Sequence, residues 1–375
     1  MRDDTKVAIV CDWLVDFGWA EKVLQYFLEI FPQADIYTSI NFLKESDAFS
    51  GKNIYTTYIQ KIPFFNKRHK LCLFFRPQAF ESFDLSGYDI VISSSTAESK
   101  GVLTKPSTLH ICYCHTPVRY FWSHYHEYLK MLEFWLLNPL ARFLMPKFVH
   151  KLRQWDFLAA QRPDFFIANS YNTQKRIEKY YHRNSEVISP WIDFEEFPLQ
   201  EIKKEYYFYA GRCIPYKRFD ILVEAFNKSG KALIIATNTD NALCRRLMNI
   251  SKNNITWVLH PQKSQLVELY SEAKAFLFPP EEDFGLSPIE AMATGTPVIA
   301  LRAGGALETV QEWISWIFFD SQTANSLNKA IEAFELHQFS PVQIRESVQK
   351  FEKEVFKKQI AEFVEREYQK REMGA

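Results

Sequence analysis

Apolar positions along the chain fall into short dense runs separated by stretches of helical spacing. "KVAIVCDW" (6–13) predicts a buried strand. "AEKVLQYFLEIF" (20–31) then places Val23, Phe27, Ile30 and Phe31 on one helical face. Further strands are predicted over 88–95, 109–116 and 165–170, with a helix over 172–181. The rhythm restarts with a strand at 206–212 and a helix over 217–228. Strands at 232–237, 255–260, 275–280, 297–301 and 316–320 follow, with helical patterns between them. Strand–helix alternation predicts parallel sheets covered on both faces. The restart, and the proline-bearing charged stretch 189–205, predict two such α/β domains joined by a linker. The expected boundaries are 1–190, 191–348 and a C-terminal helix over 349–375. In that tail Phe351, Val355, Phe356, Ile360 and Phe363 form an apolar stripe.

Composition narrows the classes. A chain of 375 residues, 47% hydrophobic, is too long for one ordinary core. Its 45 basic and 45 acidic residues cancel, so bulk charge gives no sign of a nucleic-acid partner. The six cysteines show neither CxxC pairs nor zinc spacing, which favours packing in a reducing compartment. At the N-terminus charge runs straight into the first strand, unlike a secretory signal. The longest apolar stretch, 132–145, is interrupted by Asn138, Pro139 and Arg142, too short for a transmembrane helix. The expected place is the cytoplasm.

The chemistry concentrates at predicted strand ends. In "EEDFGLSPIEAMATGTPV" (281–298), Ser287, Pro288 and Glu290 fit a capping box with Ser287 as N-cap, which accounts for Glu290 without a ligand. Glu282 precedes that helix, and Gly285 permits an unusual dihedral or close backbone approach. A helix N-terminus there favours an anion. "AGRCIPYK" (210–217) follows the first strand of the second half and carries Arg212 and Lys217. Ligands bind at such strand ends in doubly wound sheets, and a diphosphate needs fixed positive charge. Gly18, in "DFGWAEKVL", suits a strand-to-helix turn. No GxGxxG and no P-loop occur. His115 ends a strand in "CYCHTPVRYFW". It is open to two readings, a buried satisfied histidine or a polar group facing a sugar. Tyr120 and Trp122 could line an acceptor pocket. His124 and His126 lack a partner carboxylate, and "NTD" (238–240) is not a DxD motif, so a metal has no positive support.

Taken in order, these segments resemble the retaining family 4 glycosyltransferases of GT-B fold. "EEDFGLSPIEAMATGTPVIA" is similar to the family's E-x7-E signature, and "AGRCIPYKRFDILVEAF" to its phosphate-binding G-R-x4-K segment. "ANSYNTQKRI", "SPWIDFEEF" and "AGGALETV" also match, and "GWAEKVL" resembles the N-terminal "GGAERVL" with Trp19 in place of the second glycine. "ICYCHTPVRYFW" further resembles mannosyltransferases of bacterial O-antigen and surface-polysaccharide assembly. The resemblance implies two Rossmann-like domains facing a cleft, with the tail helix crossing back to the N-terminal one. It also implies metal-independent transfer with retention of configuration and no cofactor beyond the nucleotide-sugar substrate. Arg212 and Lys217 would stabilise the departing diphosphate. Glu282 would bond sugar hydroxyls, Glu290 the ribose, and His115 would sit near the sugar. Gly18, Gly285 and Leu286 would complete the donor site.

Basic and aromatic residues mix in 58–76 and 134–153, including Lys61, Lys67, Arg68 and Lys70. In an acceptor-binding domain that mixture suggests peripheral contact with an anionic membrane and a lipid-linked saccharide acceptor. The expected function is transfer of a hexose, mannose from GDP-mannose foremost, in surface-polysaccharide or lipopolysaccharide synthesis. The alternatives are a UDP-hexose transferase and a non-catalytic sugar-nucleotide-binding relative.

Overall fold

The structure is a computed structural model that describes residues 4–15, 18–43, 49–62, 69–123, 125–126, 138–309 and 314–374. It divides into two compact units. One comprises Met1–Ser189 with Lys357–Ala375, the other Pro190–Phe356.

The first unit is built on strands β1 (Val7–Cys11), β2 (Asp35–Thr38), β3 (Ile54–Thr56), β4 (Ile90–Ser95), β5 (Leu109–Cys114), β6 (Phe165–Ala168) and β7 (Glu186–Val187). They form one parallel sheet of order β3-β2-β1-β4-β5-β6-β7. Residues of β1, β4 and β5 are buried throughout, as central strands covered by helices on both faces require. The helix Trp19–Ile30 buries Val23, Leu24, Phe27 and Leu28. The long C-terminal helix Lys353–Gly374 enters this unit at Lys357. There Ile360, Phe363 and Val364 are buried, and the Phe363 ring meets Phe165 edge-on.

The second unit holds β8 (Tyr207–Ala210), β9 (Leu233–Thr237), β10 (Ile255–Leu259), β11 (Ala275–Phe278), β12 (Val298–Leu301) and β13 (Trp316–Phe319). Their order is β10-β9-β8-β11-β12-β13, again parallel. One large core runs through this unit, from Tyr207 and Phe208 to Phe276, Met292 and Trp316. Both sheets reverse their strand order once, between β1 and β4 and between β8 and β11. At such a switch point the loops beyond the strands diverge and leave room for a ligand.

The predicted strands all occur. The structure adds β2, β3 and β7, and starts the helix after β8 at Phe219 instead of 217, behind a tight turn over Pro215–Lys217. The six cysteines are free thiols, all buried. Among the described residues no helix is long and apolar enough to cross a membrane.

Candidate active site

Beyond β8 the chain passes Gly211 and Arg212 and enters the turn Pro215–Lys217. Burial of Tyr209 under this loop brings its hydroxyl to the Lys217 carbonyl, to which it donates at 3.1 Å. Asn241 Nδ2 donates to the Cys213 carbonyl at 2.8 Å. Arg218 adopts a left-handed conformation, φ 56°. Its guanidinium grips Asp220 through two nitrogens and donates to Gln322 Oε1 at 2.8 Å. The Gln322 amide in turn donates to the Pro279 carbonyl at 3.0 Å. That relay ties the loop after β8 to the loop after β11.

The second loop carries Glu282. Its carbonyl accepts from Gly305 N at 2.8 Å. Gly304 lies at φ 62°, and a Cβ there would stand 2.5 Å from that same carbonyl, so the glycine permits the approach. Gly285 ends the loop at φ 89° and ψ 83°, and a Cβ there would crowd the Phe278 ring at 3.0 Å.

The two loops converge on one contact. Lys217 Nζ lies 2.5 Å from Glu282 Oε1, with the side chains only 19% and 12% exposed. Lys217 also lies over the Tyr216 ring at 5.7 Å. Burial, and then the nearby Glu282 carboxylate, push the Tyr209 phenol well above its ordinary range. Arg212, on the same loop as Lys217, is exposed, and no ion pair holds its guanidinium among the described residues. The switch point thus brings Lys217 against Glu282, with Arg212 on the first loop and a helix N-terminus at the end of the second.

Glu290 requires a correction. Its helix runs Leu286–Ala293 with Gly285 as N-cap and no side chain capping it. Ser287 is therefore inside the first turn, and the capping box predicted from Ser287 and Glu290 does not form. The left-handed Gly285 turns the chain into the helix two residues early. Glu290 instead meets the buried Tyr270 hydroxyl together with Ser287. Burial and then Glu290 raise that phenol well above its usual value.

In the first unit, Asp12 follows β1 and is buried. Its Oδ2 accepts from Thr96 N at 2.6 Å, Thr96 Oγ1 at 2.8 Å and Ala97 N at 2.9 Å, and its Oδ1 from Ser99 N at 2.7 Å. The carboxylate so fixes the loop after β4 across the switch point. Gly18 is the N-cap of Trp19–Ile30 in extended backbone, φ −120°. Its N–H donates to Glu21 Oε2 at 2.9 Å, so the turn does not need glycine's left-handed freedom. His115 follows β5, is buried, and shares a 2.8 Å hydrogen bond between Nε2 and Ser94 Oγ.

Behind it lies a buried polar network. Tyr120 donates to Glu98 at 3.2 Å, and Arg76 Nε stands 3.5 Å from the other Glu98 oxygen. Burial raises the Glu98 carboxyl to about 7, against the lowering by Arg76. Lys100 pairs with Asp156 at 2.5 Å. Asp156 also accepts from Trp122 Nε1 at 2.7 Å and Tyr181 at 2.8 Å. Trp122, stacked on Tyr180 at 5.1 Å, therefore spends its indole N–H inside the fold. Lys61 is exposed at the end of a short 3₁₀ helix. Lys67, Arg68 and His124 lie outside the described residues, as does the side chain of Lys70. No cluster of three or more potential metal ligands occurs among the described residues.

Sequence reasoning missed Asp12, Tyr270, Gln322 and the role of Gly304. Asp12 left a signal, an acid closing an apolar strand.

The family model described as glycosyl transferases group 1 matches residues 192–355, which contain every part of the Lys217–Glu282 site. The match is to this segment, somewhat less than half of the chain. The O-antigen chain mannosyltransferase RfbU of Salmonella typhimurium is 29% identical over 152 residues, 38% of this chain and 43% of that protein. The chain spans less than half the length of the first curated relatives it matches. Among solved structures, sucrose-phosphate synthase from Thermosynechococcus elongatus superposes with a TM-score of 0.72 at 18% identity. That match covers 97% of this chain and 99% of that one. Anabaena Alr3699/HepE in complex with UDP superposes at 0.69 and 15%, covering 96% and 100%. At these identities the likeness establishes the fold alone, which is GT-B.

Proposed function

We propose that the protein transfers a hexose from a nucleotide-diphosphate sugar to a saccharide acceptor, with retention of configuration and without a metal. The observation that carries this reading is the Lys217–Glu282 contact between the loops after β8 and β11, at the switch point of the second sheet, with exposed Arg212 on the first of these loops. Arg212 and Lys217 would hold the diphosphate and stabilise the charge that grows as it leaves. Glu282 would accept hydrogen bonds from sugar hydroxyls, and Glu290 from the ribose, while Gly285 and Leu286 open the helix toward the phosphate. Mannose from GDP-mannose is the favoured donor, on the likeness to RfbU. A UDP-hexose is the second reading, supported by the UDP complex among the fold neighbours.

Transfer assays with GDP-mannose and UDP-glucose, with and without EDTA, test this. Arg212→Ala, Lys217→Ala and Glu282→Ala should each lower kcat by about a hundredfold or more. Wild-type turnover in all three would refute the assignment.

The acceptor is proposed to be lipid-linked, reached from an anionic membrane surface. Residues 52–80 carry six Lys and Arg and no acid, and 134–155 carry four and no acid. Parts of these segments come together in the first unit. Phe74 and Phe148, both exposed, meet at 4.7 Å between ring centroids. Tyr58, also exposed, donates to the carbonyl of exposed Phe75. Exposed Lys61, Lys147 and Lys151 lie in the same segments. An aromatic patch set among cations fits the interface of anionic lipid. In flotation on phosphatidylglycerol vesicles, reversing these three lysines to Glu should reduce binding at least about a hundredfold, at ~1 kcal/mol per charge removed. Undiminished binding would reject the surface.

A further inference from the structure

We infer that Lys217 and Glu282 act as a latch that separates the intact nucleotide sugar from the nucleoside diphosphate left after transfer. The inference rests on the nucleotide-sugar reading above and adds to it a means of releasing product.

The two side chains assigned to opposite ends of the donor hold each other, Nζ to Oε1 at 2.5 Å, with little exposure. Both are braced from behind. Lys217 has its carbonyl tied to Tyr209 and its ammonium over Tyr216. Glu282 has its carbonyl tied to Gly305, and Gly304 leaves no Cβ in the way. The relay through Arg218 and Gln322 to Pro279 keeps the two loops in register. The pair is thus a built contact between two anchored backbones.

A bare diphosphate can engage Lys217 only by drawing it from Glu282, which strips a poorly solvated carboxylate of its cation. An intact donor brings sugar hydroxyls that donate to the carboxylate as the cation moves to phosphate. Each group then exchanges one partner for another. When the sugar passes to the acceptor, those hydroxyls leave with it. Glu282 recovers Lys217, and the diphosphate loses its cation. Arg212, exposed and outside the pair, is the first contact that a diphosphate meets.

Titration calorimetry of the full chain with GDP, UDP and ADP tests the latch. For whichever diphosphate binds, Glu282→Gln should lower Kd by about three- to tenfold, the scale of a part-buried ion pair. Glu282→Ala should shift it in the same direction, should the amide disturb packing. Lys217→Ala should weaken binding, and the double variant Lys217→Ala with Glu282→Gln should match it, because the gain acts through Lys217. A Kd for both Glu282 variants equal to or above wild type overturns the latch and leaves the site assignment standing. A wild-type Kd for Lys217→Ala, or no diphosphate binding by any variant, overturns the underlying nucleotide-sugar reading.

Discussion

Four donors converge on the Asp12 carboxylate, three of them backbone amides. Asp12→Ala should therefore cost about 3–5 kcal/mol by denaturant unfolding, well above a surface substitution. Glu98 makes a different prediction. Its carboxyl titrates near 7 in the fold, above the ordinary 4.5 that it regains on unfolding. The folded state then binds the extra proton between these values, so this contribution to stability is full below 4.5 and is lost as pH rises through 7. Arg76, Tyr120, Asp12, Lys100 and Asp156 surround it. Unfolding midpoints of Glu98→Gln across pH 5–8 should lack the decline that wild type shows; parallel profiles would contradict it. At this scale the sequence was partly legible. Lys217 and Glu282 could each be placed at a predicted strand end from the sequence, but not their pairing, which joins loops 65 residues apart. Tyr270 could not be placed, since its contact with Glu290 joins two helices whose packing no local pattern encodes.

Elements were easier to read than their ends. Long apolar runs marked the central strands, whereas β2, β3 and β7 hold four, three and two residues, too few to show a period. The helix start at Leu286 was misplaced because Ser287-Pro288 suits an N-cap locally. The left-handed Gly285, packed on Phe278, decides otherwise. The same loop gives a sharp test. Gly304→Ala would place a methyl carbon 2.5 Å from the Glu282 carbonyl at φ 62°. The loop must move, and kcat/KM should fall by about 10- to 100-fold, as a displacement near 1 Å does elsewhere. Circular dichroism should show the fold retained. Unchanged kinetics would mean that the Glu282 loop need not be held where it is.

At the scale of the molecule, the restart of the strand–helix rhythm announced two parallel sheets. What the rhythm could not convey is that the first unit is completed from the far end of the chain. Removing residues 357–375 would strip Ile360, Phe363 and Val364 from its surface, together with the Lys357–Glu29 and Arg371–Asp164 pairs. Loss of three buried apolar side chains should destabilise that unit by about 5 kcal/mol or more. Calorimetry should then show an early transition in the truncated protein, and a single unshifted transition would contradict this.

The chain enters the second unit at Pro190 and leaves it at Phe356, and the two crossings lie side by side. Ile192 N donates to the Phe351 carbonyl at 2.8 Å, and the Trp191 and Phe356 rings stand 4.3 Å apart. The second unit is in effect a cassette spliced into the first, clasped at its neck. Its two ends meet within the unit itself, so the β8–β13 sheet is complete without any strand of the first unit. The same neck offers a graft point. A foreign cassette ending in the same clasp could be exchanged at these two positions, carrying its own ligand preference while leaving the host unit's chain intact.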